Sequence, residues 1–330
     1  MAILEVREQG LYCQAGDFYV DPREPVHRAV ITHAHSDHAA PGSEFYLTAA
    51  PGEALLQQRL PDAVIQTLDY GARLAMGSAT LSFHPAGHIL GSAQVRIEVA
   101  GEVWVVSGDY KLAADPTCAP FEPLRCHTFV TESTFGLPIF RWPQTSEAMA
   151  DLHAWWRANC DAGKASVLFG WPLGKLQRVL AELDAGIGPL FAHGAVERVN
   201  RIYRASGIPL PETPPPAGST KGALILAPPG WQGSPWMKRF GAASTALVSG
   251  WMRIRGTRRR QSLDRGFALS DHADWPALLA AIDETRAENV WVTHGFRAPL
   301  VRWLQEHGRN AVEVPVRVAD QQPPPEESES

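Results

Sequence analysis

His33-Ala34-His35-Ser36-Asp37-His38 sets four side chains able to bind a metal within six positions. They follow an apolar, β-branched run at residues 29–32, so they belong to the end of a strand and the turn after it. In extended chain, positions 33 and 35 point the same way and can grip one ion. Asp37 and His38 lie beyond the turn and face a second. Imidazole with a minority of carboxylate suits zinc, with manganese or iron as alternatives. A lone histidine is usually structural; this density of ligands at one strand end is a metal motif.

Three later residues complete the set: His88 in Gly87-His88-Ile89-Leu90-Gly91-Ser92, Asp109 in Ser107-Gly108-Asp109, and His294 in Thr293-His294-Gly295. One site would be His33, His35, His88 and Asp109, and the other Asp37, His38, Asp109 and His294. Asp109 serves both because a carboxylate has two oxygens. His84 stands four before His88, but Pro85 and Gly87 break any helix that would align the two, so His84 reads as structural.

The elements that must position these residues are visible as short apolar runs, each ending in a polar cluster. Residues 29–32 lead to His33, 80–83 to the turn of His88, 103–106 to Asp109, 128–131 to Glu132, 266–269 to Ser270 and His272, and 290–293 to His294. They read as buried strands whose C-terminal ends converge on one edge, where open α/β layers place their sites. Between them Met149, Leu152, Trp155, Trp156 and Cys160 share a helical face, as do Leu173, Leu176, Leu180 and Leu183, with Gly186 as a stop. A further helix is expected from Trp275, capped by Asp274 and opened by Pro276. Residues 209–220, with five prolines, form a loop, and residues 319–330 are expected to be a disordered acidic tail.

Composition narrows the class. The 330 residues suffice for two domains, and 45% hydrophobic with 20% charged residues is ordinary for a soluble globular protein. No apolar run approaches the ~20 residues of a membrane span. The start, MAILEVREQG, has neither a basic region nor an apolar core, so no secretory signal is expected and the cytoplasm is the expected compartment. Cys13, Cys118, Cys126 and Cys160 are scattered and suggest reduced thiols. The net charge of −5 does not advertise a nucleic-acid binder, but arginine supplies nearly all the positive charge. Its planar fork suits phosphate, although a GC-rich genome would enrich it as well.

The histidine motif with His88, Asp109 and His294 resembles the metallo-β-lactamase fold, an α/β αββα sandwich. The resemblance extends to the β-CASP nucleases within it. Their further motifs match Thr131-Glu132-Ser133-Thr134-Phe135-Gly136, Leu269-Ser270-Asp271-His272-Ala273-Asp274, and His294. Asp21, in Val20-Asp21-Pro22, matches the family's early aspartate, which supports a metal-binding histidine from behind. Asp109 and His294 stand 185 residues apart, more than one sandwich needs. The resemblance implies an inserted β-CASP lid at 141–264, within a metallo-β-lactamase domain made of 1–140 and 265–318. Nucleic acid would run in the groove between them.

These parts imply a two-metal phosphodiester hydrolase. Two divalent ions, zinc or manganese, would serve the reaction; Asp37 would orient the attacking water, His272 protonate the leaving oxygen, and Glu132 orient His272. Arg253, Arg255, Arg258, Arg259, Arg260 and Arg265 form the densest basic run, read as phosphate-binding, and Lys175 after Gly174 opens a helix at a position suited to an anion. Trp231, Trp236 and Trp251 could stack bases but fit the lid core better. Residues 249–258 with 270–275 resemble the bacterial ligase-associated DNA exonucleases. That resemblance implies trimming of DNA ends alongside an ATP-dependent DNA ligase and a helicase. His294, in contrast, is the final motif of RNA-cleaving members. The expectation is a DNA exonuclease; the alternatives are a β-CASP ribonuclease and an inactive scaffold in a repair complex.

Overall fold

The computed structural model describes residues 2–254 and 262–315, and the chain divides into two compact units. Among the described residues, the first comprises those up to Phe140 and those from His272; the second is Arg141–Asp271. Arg255 and Arg258, like Arg259, Arg260 and the expected acidic tail, lie outside the described residues. Among the described residues no helix is long and apolar enough to cross a membrane.

The first unit opens with a six-stranded sheet in chain order: β1 (Glu5–Arg7), β2 (Gly10–Cys13), β3 (Phe18–Val20), β4 (Arg28–Ile31), β5 (Phe45–Ala49) and β6 (Ile65–Leu68). Its first three strands are antiparallel, and from β3 onward neighbours run parallel. Helix α1 (Glu53–Arg59) joins β5 to β6. A meander follows: β7 (Leu74–Met76), β8 (Ala79–Pro85), β9 (Ala93–Val99) and β10 (Glu102–Val106), with β11 (Thr128–Ser133) parallel to β10.

The second unit is a five-stranded sheet with every registered neighbour parallel, built from β12 (Ser166–Phe169), β13 (Leu190–Ala192), β14 (Leu224–Ala227), β15 (Ser244–Val248) and β16 (Arg265–Phe267) in the order β13-β14-β12-β15-β16. Helices α2 (Thr145–Asp161), α3 (Lys175–Glu182) and α4 (Gly194–Ala205) alternate with these strands. The helix expected on Met149, Leu152, Trp155, Trp156 and Cys160 is α2; the first four are buried and Cys160 is half-buried. Strand β12 is buried at every position, as a parallel strand covered on both faces should be. Trp231 and Trp236 are half-buried and pack against this unit's core, as Met252 does.

One strand is placed differently from the sequence expectation. Residues 266–269 were grouped with the runs converging on the metal edge, but the strand here, β16, pairs with β15 in the second unit. Periodicity marks a buried strand and not the sheet it joins; the Ala246–Arg265, Leu247–Gly266 and Val248–Phe267 register decides that.

The chain then returns to the first unit with α5 (Trp275–Thr285), β17 (Asn289–Gly295), α6 (Arg297–Glu306) and β18 (Asn310–Glu313). Asp274 caps α5 by accepting from Ala277 N at 3.1 Å, with Pro276 in the first turn. The second sheet thus reads β18-β17-β11-β10-β9-β8-β7. Alternation along β10 shows the layering: Trp104 and Val106 join a core with Leu11, Val20, Val30 and Leu47 of the first sheet. Val103 and Val105 face the opposite side and join Leu278, Ile282, Leu300 and Leu304 of α5 and α6. The first unit is therefore sheet on sheet with helices covering the second sheet, a mixed α/β architecture.

Candidate metal centre

The predicted ligands sit just past the ends of β4 and β10, in the last residues of β17 and in the loop between β8 and β9. After β4 the chain turns tightly, with His38 N and Ala39 N both donating to His35 O at 3.1 and 2.9 Å. The His88 loop closes on Ser92, whose Oγ accepts from His88 N and Ile89 N at 3.1 and 3.2 Å. Two glycines make the approach possible. Gly108 has φ +56, and a Cβ there would lie 2.7 Å from the Thr32 side chain; Gly87 has φ +74, and its Cβ would lie 2.2 Å from Lys111 O. Neither position accepts a side chain without moving Asp109 or His88.

Two of the side-chain groups able to hold a metal ion are made of the predicted ligands. His33, His35, His88 and Asp109 form one, and His38, Asp109 and His294 the other. Within the first, His35 Nδ1 lies 3.1 Å from both His33 Nε2 and His88 Nε2. Within the second, Asp109 Oδ1 lies 2.8 Å from His294 Nε2 and 3.5 Å from His38 Nε2. Its other oxygen, Oδ2, faces His33 and His88 at 3.6 and 3.8 Å, so Asp109 offers one oxygen to each group. Asp37 is half-exposed at the rim, its Oδ2 3.7 Å from His38 Nε2.

The outward ring nitrogens show which way the lone pairs point. Thr32 Oγ1 donates to Asp21 Oδ2 at 2.7 Å and therefore accepts from His33 Nδ1 at 3.0 Å. Thr293 Oγ1 donates to Thr131 O at 3.1 Å and accepts from His294 Nδ1 at 2.9 Å. Asp21 Oδ2 also takes His38 Nδ1 at 2.7 Å, while its Oδ1 takes Thr32 N at 2.8 Å. With these protons on Nδ1, the Nε2 atoms of His33, His38 and His294 turn lone pairs inward toward the Asp109 carboxylate. Acceptors crowded at such distances repel unless a cation lies among them. The residues present therefore fit divalent metal ions, with an imidazole-rich donor set.

Electrostatics favour the metal-binding protonation state at His33 and Asp109, while at His38 the surrounding carboxylates favour the protonated ring that a cation would have to displace. Burial, reinforced by the nearby His38, holds His33 well below the ordinary imidazole range, in the neutral form a ligand needs. Burial works against charge on Asp109, but His38, His272 and His294 outweigh it and hold the carboxyl well below its usual range. For His38 burial is outweighed by Asp109, Asp37 and Asp21, which raise it well above the ordinary value. A pocket of about 50 Å³ borders this group, lined among others by Asp21, Arg23, Asp37, His38, Ser107 and His294.

His272 stands beside both groups, its ring 4.7 Å from that of His88. Its Nδ1 meets Glu132 Oε2 at 3.0 Å and Oε1 at 3.3 Å, and Glu132 Oε1 also accepts from Tyr110 N at 2.8 Å. Glu132 is buried in β11. His84, the decoy, is elsewhere engaged with Ser82 and Glu122 at 3.1 and 3.2 Å.

The substrate-binding expectations fare differently. Lys175 is buried and paired with Asp271, so it does not present its charge to solvent. The Gly-Lys signal was local, and its partner stands 96 residues away. Arg253 is exposed at the end of a short 3-10 turn, Gly250–Arg253. Sequence reasoning misses Thr32 and Thr293 as supports, although each directly precedes a histidine of the cluster; that repeated Thr-His step is the available signal.

Comparison with known proteins places these features in context. No family model matches the chain. A protein of Opitutus terrae named "Probable DNA ligase" is 31% identical over 307 residues, spanning 92% of this chain and 30% of that protein. The endoribonuclease ysh1 of Aspergillus fumigatus is 30% identical over 124 residues, 37% of this chain and 14% of its own length. The Saccharomyces cerevisiae endoribonuclease YSH1 is 26% identical over 145 residues, 34% of this chain and 19% of its own length. The chain thus spans under a third of the length of each. Among solved structures, a protein of unknown function from Enterococcus faecalis V583 shares the fold at a TM-score of 0.58 and 11% identity, covering 89% of this chain and 79% of that one.

Proposed function

We propose that this chain is a metal-dependent nuclease of the β-CASP subfamily of the metallo-β-lactamase fold, acting on DNA ends that are to be ligated. The observation that carries the reading is the convergence of His33, His35, His88, His38 and His294 on the two oxygens of Asp109, with the His272–Glu132 pair alongside. The facing sheets with α5 and α6 outside support the sandwich, and Arg141–Asp271 would be the inserted lid domain.

His33, His35, His88 and Asp109 would hold one divalent ion and Asp37, His38, Asp109 and His294 a second, with zinc favoured and manganese the alternative. Bound there, the ions would supply positive charge for a phosphate oxygen and lower the pKa of water. The chain's own residues supply the rest. Asp37, at the rim, orients the attacking water. His272, with Nδ1 tied to Glu132, keeps Nε2 for the leaving oxygen and acts as general acid. Asp21 and the two threonine hydroxyls keep the ligand rings from turning.

DNA is favoured as substrate because nearly the whole chain has a counterpart inside a protein named for DNA ligation. An ATP-dependent ligase and a helicase are the proposed functional partners. A ribonuclease is the second reading, supported by the likeness to two endoribonucleases over about a third of the chain. End-labelled single-stranded DNA, duplex DNA and RNA of one sequence, with closed circular DNA beside them, separate the readings. Metal-dependent shortening of DNA from an end is expected. Cleavage of RNA alone would overturn the substrate, cleavage of the circle the end requirement, and full activity in exhaustive chelator the metal mechanism.

A further inference from the structure

The second unit buries charges where a core ordinarily has none. Lys175, Gln177 and Arg178, in the first turn of α3, are each exposed by 2% or less. Burying an ammonium and a guanidinium costs free energy that apolar residues of similar volume would avoid, and removing one partner of such a pair leaves an uncompensated buried charge. Their partners are concentrated. Lys175 Nζ bonds the Asp271 carboxylate, and Arg178 Nη1 donates to the carbonyl of Ser270 at 2.5 Å. Arg178 Nη2 also donates to Thr145 Oγ1 at 2.8 Å.

The turn that carries these cations is itself fixed. Gln177 Oε1 accepts from Gly174 N at 2.8 Å, and its Nε2 donates to Pro172 O and Asn200 Oδ1 at 2.9 and 2.7 Å. Asn200 in turn donates to Thr213 Oγ1 at 2.8 Å, and that hydroxyl donates to Glu197 at 2.6 Å. Two buried cations on a braced helix therefore hold two consecutive residues, Ser270 and Asp271. The next residue is His272. Beyond it, Ala273 N donates to Tyr110 O at 2.7 Å.

We propose that Lys175 and Arg178 are positioning residues for His272. By holding the Asp271 carboxylate and the Ser270 carbonyl they set the main chain from which His272 projects, and so the approach of its Nδ1 to Glu132. The inference rests on the reading of His272 as proton donor. A displacement of about 1 Å in a reacting group costs on the order of 10²-fold in rate.

The test is a double-mutant cycle in the full-length, metal-loaded chain. Lys175→Met and Arg178→Lys are each made alone and on His272→Ala, and kcat, KM, thermal midpoint and metal content are measured on end-labelled DNA. Lys175→Met should lower kcat by about 10²-fold while KM and metal content hold. In the His272→Ala background it should cost no further kcat. Arg178→Lys keeps a buried cation but loses the planar fork, and serves as the probe if Lys175→Met does not fold; the same pattern is expected. An equal loss in both backgrounds overturns the proposal, because the cations would then act on the fold alone. If His272→Ala retains the wild-type kcat, the proton-donor reading fails first, and that result stands apart from the cycle.

Discussion

The substitution Glu132→Gln puts the imidazole–carboxylate pair to its most direct test. Glu132 is 1% exposed and accepts from two donors, Tyr110 N at 2.8 Å through Oε1 and His272 Nδ1 at 3.0 Å through Oε2. Glutamine has one carbonyl oxygen for these two donors. If that oxygen stays with Tyr110, the amide nitrogen faces His272 Nδ1 and cannot accept its proton. If the amide flips, its NH₂ faces the Tyr110 N–H instead. Either way a charge-assisted hydrogen bond worth about 1.5–3 kcal/mol is lost. Taken from His272 in the transition state, at about 1.4 kcal/mol per factor of ten, this lowers kcat by about 10- to 150-fold. Glu132 belongs to neither of the two main ligand groups, so the metal content should hold. Single-turnover cleavage of an end-labelled DNA strand, with metal analysis by plasma mass spectrometry, reads both quantities. An unchanged kcat would refute the role of the pair. Loss of metal would refute it differently, since Asp109, Glu132 and His272 lie close enough to form a ligand group of their own.

The remaining predictions address the centre and its surroundings. His35→Ala removes the donor 3.1 Å from both His33 and His88, and should lose bound metal together with activity; retention of both would remove His35 from the centre. Thr293→Val should leave His294 Nδ1 without its acceptor and weaken metal affinity by about 10- to 100-fold, read by competition with a fluorescent chelator. An unchanged affinity would make the hydroxyl a packing feature. Replacing Arg255 and Arg258 by alanine should flatten the salt dependence of DNA binding by roughly 0.7–0.9 log units per lost phosphate contact, and an unaltered slope would return that run to solvent.

The cluster of residues able to hold a metal was legible in the sequence because its members leave a local imprint. His33, His35 and His38 share one turn, His88 and Asp109 follow buried strands and His294 stands at the end of one, so residue type and strand ending coincide. The same locality marked α2 and the cap of α5. Pairings across long separations leave no such imprint. The strand near residue 266 could be recognised, but only the register with β15 assigned it to the second unit's sheet. Lys175 had the local signature of an anion site; folding brings Asp271 against it and turns a surface cation into an internal one. Glu132 and His272, 140 residues apart, carry no spacing that announces a contact, and what joins them is the course of β11 and the turn before α5. Periodicity reports whether a residue is buried. Which side chain it meets there is decided by loop closure and sheet order, which only the folded chain contains.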